Sequence, residues 1–401
     1  MSLCFAVFVS MLGFGLVMPI LPIYARDFGA SGIQLGLLTA SFAITRLITT
    51  FPGGWLADVT GRKRPIILGL LAYSVVMALY GFSQDANQLI LLRAFQGMAS
   101  GVVWPVMSTM VVDMVSARDR GKALGLYDMM HFLGMVVGPG LGGVLAGAFN
   151  IAVPFFVCGA LAFASTVLVA FTVQETIPTE NSMDASSTGL SSSSETSLRA
   201  PMVSNFKGAG QLTPYVGIFL GLCIARLILA LSNSLIQPVL SVYANEQLGV
   251  NEVGVGMLFT VQAIAILFTT LPMGAFADRI GRKPMIVFGK IFQATSAILV
   301  IFSGSFWPLL LIMMLRGFGR GVSNPSIVAI FSGLVPASKR GRAMGIFSIF
   351  QNIGLVIGST LGGFFYDFYS SEIPFVACAI IGFIGVFVVL LTVSEPKQDL
   401  K

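Results

Sequence analysis

The feature that most constrains this chain is a segment of sixteen residues that occurs twice. Residues 54–69 read GWLADVTGRKRPIILG and residues 274–289 read GAFADRIGRKPMIVFG, and each copy lies between two long apolar runs. Further pairs repeat at nearly the same offset: Pro19 and Pro238, Tyr24 and Tyr243, Thr50 and Thr270, Pro52 and Pro272, Arg120-Gly121 and Arg340-Gly341. The sequence therefore predicts one helical unit that is present twice.

The apolar runs predict a membrane protein. The chain is 56% hydrophobic and only 10% charged, whereas a soluble domain carries about 25% charged residues. A helix needs about 20 residues to cross the hydrocarbon core of a bilayer. Twelve candidate runs lie near residues 3–25, 33–57, 66–84, 87–115, 122–148, 152–173, 214–244, 253–277, 285–304, 307–335, 342–366 and 373–393. We predict an all-α membrane protein with twelve transmembrane helices in two pseudo-symmetric six-helix bundles.

Composition divides the chain into four parts. Residues 1–173 and 214–393 hold six apolar runs each and are the predicted bundles. Residues 174–213 are rich in Ser, Thr, Asn and Gly, which is typical of a disordered linker. Residues 394–401 form a short polar tail. No soluble domain is expected in the remaining loops, so function should lie between the two bundles.

The net charge of +6 indicates topology rather than nucleic-acid binding, because the basic residues fall on one side of the predicted membrane. The opposite loops hold Arg26 beside several acids. By the positive-inside rule both termini are then expected to be cytoplasmic, with the plasma membrane as the first candidate and an organelle membrane as the alternative. The loops and tail on the basic side contain Arg62, Lys63, Arg64, Arg118, Arg120, Lys122, Arg199, Lys207, Arg279, Arg282, Lys283, Lys339, Arg340, Arg342, Lys397 and Lys401.

The repeated segment carries a candidate ion pair. Asp58 precedes Arg62 by four residues, the spacing at which two side chains can pair if a helix continues through them. Asp113 is a third candidate partner. The aspartate, glycine turn and basic cluster resemble motif A of the major facilitator superfamily. The resemblance implies a latch that locks the outward-facing state of a carrier, formed by Gly54, Asp58, Gly61, Arg62 and Lys63.

The second copy departs from that pattern. It keeps Asp278 and Arg282, but Pro284 replaces Arg64 and Gly333 stands where Asp113 does in the first half. A weaker second latch is expected. The alternative interpretation is that all of these charges only set topology, which explains the arginines but not the aspartate or the duplication.

The fifth apolar run carries a glycine pattern. The sequence G-x-x-x-G-P-x-x-G-G resembles motif C of the drug:proton antiporter branch of the same superfamily, and small residues four apart permit close helix packing. We expect a packing hinge there, with generic small-residue packing as the alternative. Its members are Gly134, Gly138, Pro139, Gly142 and Gly143.

Cations outnumber acids at membrane depth. Arg46, Arg93, Arg226, Arg316 and Arg320 lie within predicted spans, as does Lys290, which can reach toward the aqueous phase. An intramembrane arginine costs at least about 2.5–3.5 kcal/mol unless it faces a wet cavity or a partner. The five arginines are therefore predicted to line a substrate cavity that attracts anions. The alternative is that they lie on different faces, capped by Gln262, Gln293 or Gln351.

Proton coupling has three candidate residues. Residues 92–97 (LRAFQG) resemble motif B, whose arginine is associated with proton coupling, and residues 315–320 (LRGFGR) are their expected counterpart. Asp128 and His131 are neighbours on one helical face and are candidate proton carriers together with Arg93. The alternatives are structural roles for each residue. Residues 3–25 contain no acid, which disfavours a cationic substrate.

These features together predict a rocker-switch carrier with one site at mid-membrane. The leading function is proton-coupled export of small amphipathic or anionic organic compounds by a monomer. Uniport or symport of an organic anion is the alternative within transport, and a receptor or scaffold is the alternative outside it. No nucleotide loop, metal cluster or nucleophile motif suggests an enzyme, a cofactor or a nucleic-acid partner.

Overall fold

The computed structural model describes residues 2–116, 118–175, 213–334 and 340–392. Within these ranges all regular secondary structure is α-helical. The predicted tail and nearly all of the predicted linker lie outside the described residues. The helices are α1 (Ser2–Val17), α2 (Leu21–Asp27), α3 (Gly32–Thr60), α4 (Lys63–Tyr80), α5 (Ala86–Asp113), α6 (Arg120–Ala148), α7 (Val153–Thr172), α8 (Thr213–Ile236), α9 (Leu240–Glu246), α10 (Glu252–Ile280), α11 (Arg282–Ile301), α12 (Phe306–Leu334), α13 (Arg340–Phe368) and α14 (Ile373–Thr392).

Two spans are broken at equivalent places. Turns at 18–20 and 237–239 separate α1 from α2 and α8 from α9, and each turn contains one of the matched prolines, Pro19 or Pro238. Proline lacks a backbone N–H and crowds the preceding turn, so a helix tends to break there. Fourteen helices thus correspond to the twelve predicted runs.

The helices suit a bilayer in length and in surface. Among the described residues, eleven spans are long and apolar enough to cross a membrane. The remaining run, α12, contains Arg316 and Arg320. Large apolar side chains lie on the outside, for example Phe171, which is 87% exposed. Such a surface is matched to lipid rather than to water. The chain is an integral, multi-pass membrane protein.

The two halves pack their helices in the same way. In the first bundle α1 packs on α6 and α7, α3 on α5, and α4 on α5 and α7. In the second bundle α8 packs on α13 and α14, α10 on α12, and α11 on α12 and α14. Each pair of the first half therefore has its counterpart in the second, and the sequence repeat is a repeat of packing.

The bundles touch each other at one end only. We call the end with the loops 28–31, 81–85, 149–152, 247–251, 302–305 and 369–372 the acidic end, and the opposite end the basic end. The contacts between bundles run mainly through α3 with α13 and α6 with α10, with a smaller contact of α2 with α9. A Cβ atom on Gly32 or Gly36 would collide with α13, and one on Gly143 would lie 3.1 Å from Gly256 Cα in α10. All three glycines are near the acidic end.

The interface opens toward the basic end. The deepest of the glycine contacts between α6 and α10 joins Gly140 to Thr260, where an added Cβ would lie 3.0 Å from the hydroxyl oxygen. Gly140 is eight residues from the end of α6, or about 12 Å at 1.5 Å per residue. On the basic-end halves of the four interface helices, Gly54, Gly125, Gly274 and Gly345 have no neighbour within 4 Å of an added Cβ. A cleft therefore separates the bundles from mid-membrane to the basic end.

Candidate functional site

The first repeated segment forms a tight turn with a different ion pair from the one its spacing suggested. Gly61 ends α3 with φ of 89°, a left-handed conformation that glycine adopts without strain. The helix does not continue to Arg62, so Asp58 and Arg62 do not come to lie on one helical face. Arg62 instead forms an ion pair with Asp113 at the end of α5. The predicted Asp58–Arg62 pairing is wrong, whereas the suggested third partner is the one in contact.

A carboxylate that the motif did not indicate completes this turn. Glu175, just after α7, accepts hydrogen bonds from the backbone N–H groups of Arg62 (2.8 Å) and Lys63 (3.2 Å). An anion at a helix N-terminus satisfies free N–H groups and the helix dipole. Its only signal in the sequence is an acid directly behind the sixth apolar run. Asp58 itself is exposed.

The second copy is built differently. Gly281 makes the same turn with φ of 106°. Arg282 donates from Nη1 to the carbonyl oxygen of Ala329 in α12 at 3.1 Å, and Lys283 donates from Nζ to the carbonyl of Leu390 at 2.8 Å. Asp278 lies in α10, and its side chain is outside the described part of the structure.

The glycines of the fifth span divide into two rows. An added Cβ on Gly134, Gly138 or Gly142 would collide with the backbone of α1, at Phe8 to Leu12, Gly15 and Leu16. This first row holds α6 against α1 within one bundle. Pro139, through its carbonyl, and Gly143 form a second row that faces α10 of the other bundle. Helix α6 continues through Pro139 and spans Arg120–Ala148.

Arg93 lies in a polar cluster of the first bundle. Its Nη1 donates to Gln96 Oε1 at 2.9 Å, and the same oxygen accepts from Tyr80 at 3.0 Å. Arg93 also lines a small cavity of about 20 Å³ with Gln237 of the other bundle. That cavity lies near the acidic end, so Arg93 is placed where the bundles meet rather than in the open cleft.

Arg46 lies near the predicted proton carriers. Its guanidinium, on α3, is within electrostatic range of Tyr127 and His131 on α6. Asp128 is exposed, and it forms no ion pair with any residue that the structure describes. The suggested structural pairing of Asp128 with the basic loop is therefore not formed within those residues.

Four cations meet in the second bundle. Arg226 of α8, Lys290 of α11, and Arg316 and Arg320 of α12 act on one another electrostatically. Three of the five predicted cavity arginines are thus together, while Arg46 and Arg93 lie in the other bundle. From the sequence, Lys290 is a residue that can reach toward the aqueous phase. In the structure it is only 4% exposed, and it donates to Gln293 Oε1 at 3.1 Å.

The fourth spans of the two halves correspond in a register different from the one the motifs suggested. Gly97 faces Phe42 and Thr45, and Gly317 faces Gln262 and Ala265, so both glycine and partners are related by an offset of 220. At that offset Arg316 replaces Gln96, Arg320 replaces Ser100, and Arg93 corresponds to Met313. The similar residue types of the two motifs instead align Arg93 with Arg316, which is three residues out of register. The packing contacts establish the register, because a close helix crossing requires glycine and the equivalent glycines therefore mark equivalent positions.

The two bundles pack in the same way, are joined at one end and apart at the other, and hold charged groups in their interior. This arrangement defines a membrane transporter. A model for the Major Facilitator Superfamily matches residues 3–219 and 222–401. The chain belongs to the major facilitator superfamily, as its motifs predicted.

Relatives and solved structures agree with that family. Multidrug resistance protein 2 of Bacillus subtilis (strain 168) is 27% identical over 395 residues, which cover 98% of this chain and 94% of the relative. Quinolone resistance protein NorA of Staphylococcus aureus (strain MSSA476) is 27% identical over 396 residues, 97% of this chain and 95% of the relative. A mutant of the nucleoside transporter NupG has a TM-score of 0.79 at 13% identity, with 98% of this chain and 99% of that chain covered.

Proposed function

We propose that the chain is a proton-coupled exporter of small amphipathic or anionic organic compounds that works by alternating access as a monomer. The observation that carries the proposal is the cleft, which is closed at the acidic end by helix contacts and open at the basic end. A drug-exporting role is supported by the names of the Bacillus and Staphylococcus relatives.

The charge distribution supports an orientation for this cleft. Basic loops face the cytoplasm in most multi-pass proteins, so the open basic end is cytoplasmic, both termini are cytoplasmic, and the state described here faces inward. The plasma membrane is the proposed location. A substrate then enters from the cytoplasm and leaves when the acidic end opens.

The repeated segments supply the latch of the proposed cycle. In the inward-facing state Asp58 is exposed, and it forms no ion pair with any of the residues that the structure describes. When the basic end closes, the exposed carboxylate is free to engage the other bundle, whose helix termini lie across the cleft. The Arg62–Asp113 pair and the Glu175 cap keep the adjoining turn in shape for that contact.

Asp128, His131 and Arg93 are the proposed coupling residues. Asp128 is exposed and lacks an ion-pair partner among the described residues. A carboxylate that alternates between two environments can load and release a proton. His131 lies near Arg46, so protonation of the imidazole would be sensitive to whatever anion reaches that guanidinium.

Proton movement tests the proposal. Purified protein is reconstituted in liposomes that contain a pH-sensitive dye, and a panel of organic anions, cations and neutral compounds is added. We expect substrate flux to be accompanied by proton movement in the opposite direction. The proton movement should be lost in Asp128→Asn but kept in the loop control Arg118→Gln. Flux without proton movement would replace antiport by uniport of an organic anion. Binding without flux would overturn the transport proposal.

A further inference from the structure

The cation cluster of the second bundle has no counterpart in the first. At the offsets set by the glycine contacts, Arg226, Lys290, Arg316 and Arg320 correspond to Val7, Leu70, Gln96 and Ser100. The first bundle packs the same helix pairs with four uncharged residues at these positions. The packing of a bundle therefore does not require the cations, and another reason must exist for four of them at membrane depth.

The charges of the cluster are not balanced by the protein. Among the described residues, no carboxylate is among the groups that act electrostatically on Arg226, Lys290 or Arg320. Like charges in a medium of low dielectric repel one another, and each is costly to desolvate. A bound anion would remove both costs at once.

Many donors of the cluster are also unused. Arg226 donates from Nη2 to Gln351 at 2.7 Å, while its buried Nε has no partner in the described chain. Arg316 makes two long contacts, to Gln293 (3.4 Å) and Asn233 (3.3 Å). Arg320 donates to none of the residues that the structure describes. Since a guanidinium carries five N–H donors, most of this capacity remains available to a ligand.

Burial gives the cluster an inner and an outer part. Lys290 and Arg316 are buried, Arg226 is half-buried and Arg320 is exposed. Arg320 interacts electrostatically with Arg316 and Lys290, which are buried. A ligand in the cleft would meet Arg320 and Arg226 first, with Lys290 behind them.

Buried aromatic rings position the Arg226 guanidinium. The guanidinium lies 5.2 Å from the ring centroid of Phe347, which stacks on Phe331 at 4.2 Å. Both rings belong to the core of the second bundle, at 4% and 1% exposure. They therefore hold the guanidinium in place and do not themselves contact a ligand.

We propose that Arg226, Arg320, Arg316 and Lys290 form an oxyanion site in the second bundle, which binds the charged group of organic anions and so selects them as the substrates of this carrier. This inference rests on the proposed function only in taking the cleft as the substrate route. The site is asymmetric: it holds the charged head of the ligand against the second bundle and leaves the apolar body to the cleft.

Binding to the purified full-length protein in detergent tests the site without any gradient. The probes are 1-naphthoate, its neutral amide 1-naphthamide, and the cation 1-naphthylmethylammonium, which share one ring system. We expect the parent to bind the carboxylate at least about tenfold more tightly than the amide, the scale of one hydrogen bond to a charged group. Equal binding of carboxylate and amide, or tighter binding of the cation, would overturn the site.

Variants locate the site within the cluster. Arg226→Gln and Arg320→Ser, the latter installing the residue of the first bundle, should each remove most of the preference for the carboxylate and leave amide binding unchanged. Arg226→Lys should keep a preference, and the loop control Arg118→Gln should keep all of it. Should Arg226→Gln melt at a lower temperature, the Arg226→Lys and Arg320→Ser proteins still decide the question. Full preference in both Arg226→Gln and Arg320→Ser would contradict the proposal.

The outcomes separate this inference from the proposed function. If carboxylate binding depends on the cluster but no flux is seen in liposomes, the proposed site stands and the transport proposal fails. If proton-coupled flux is seen for compounds whose binding does not depend on their charge, the transport proposal stands and the proposed site fails.

Discussion

Arg26 and Glu246 form an ion pair that joins the two bundles at the acidic end, with Nε to Oε1 at 2.6 Å. Tyr366 of α13 donates to the other carboxylate oxygen at 3.0 Å, and Arg26 also donates to the carbonyl of Ala30 at 2.7 Å. Arg26 is the one basic residue that the sequence places among the acidic loops. Its partner is a residue of the other half, 220 positions away.

Loss of this pair should favour opening of the acidic end. Glu246→Gln removes one charge of a partly exposed pair, which is worth at most about 1 kcal/mol and hence a few-fold change in population. We expect a single cysteine placed at the acidic end of α13 to react faster with a membrane-impermeant thiol reagent in Glu246→Gln, and the charge exchange Arg26→Glu with Glu246→Arg to restore the slower rate. An unchanged rate in Glu246→Gln would show that helix contacts alone keep this end closed.

Asp58→Asn should stop most transport while leaving stability near normal, because the carboxylate is exposed in this state and makes no ion pair within the described part of the chain. Asp278→Asn should be milder, since position 333 is a glycine and the second copy lacks the equivalent of the Arg62–Asp113 pair. Transport rate and melting temperature measured together check this. The latch role fails if cysteine accessibility at the basic end shifts between states in Asp58→Asn as it does in the parent.

The two glycine rows predict two kinds of defect. Gly138→Leu and the smaller Gly138→Ala place atoms about where Gly15 Cα lies, 2.7 Å from an added Cβ, so both should block or uncouple transport together with a lower melting temperature.

Gly143→Ala should instead keep the melting temperature and lose closure of the acidic end, because its row touches only the other bundle. Ligand selectivity should be unchanged in both, since neither row contains a cation. Equal loss of stability in the two alanine variants would merge the rows into one packing face.

Asp128→Asn should keep ligand binding and lose dependence of transport on the proton gradient. A carboxylate without an ion pair contributes little to folding, so the melting temperature should stay close to that of the parent. Uptake of radiolabelled substrate into inverted vesicles, with and without an imposed gradient, measures the effect. His131→Gln, which keeps a hydrogen-bonding side chain, separates a relay at position 131 from a packing role.

Apolar runs and duplication predicted the spans and the two bundles, because an apolar run of about 20 residues has few alternatives to a transmembrane helix. The family was predicted from the resemblance of the motifs. Pro19 and Pro238 are a matched pair in the sequence, but it was not predicted that each breaks its helix. Residue spacing failed where the backbone leaves the helix: the four-residue interval from Asp58 to Arg62 predicted a pair only for a continuous helix, and Gly61 ends it.

Distant contacts had no signal of their own. Nothing local in the sequence connects Glu175 to the backbone of Lys63, or Arg26 to Glu246. The register of α12 against α5 was misjudged because similar residues, Leu-Arg and Phe, occur in both segments, whereas the crossing points are set by glycines. The convergence of Lys290 with Arg226 depends on the packing of α8, α11 and α12, which only three-dimensional contacts reveal.

Beside the Arg26–Glu246 pair, the acidic end is closed by a seam of helix crossings at which backbone meets backbone. Gly32 and Gly36 meet the carbonyls of Gly363 and Ser359, and Gly143 meets that of Glu252. These crossings cannot loosen by rotamer changes alone, because peptide groups make the contacts. A gap narrower than a water molecule would lose dispersion contacts without hydrating the exposed peptide groups. The seam should therefore part along its whole length in one step. A carrier built on it has a threshold for opening rather than a graded leak.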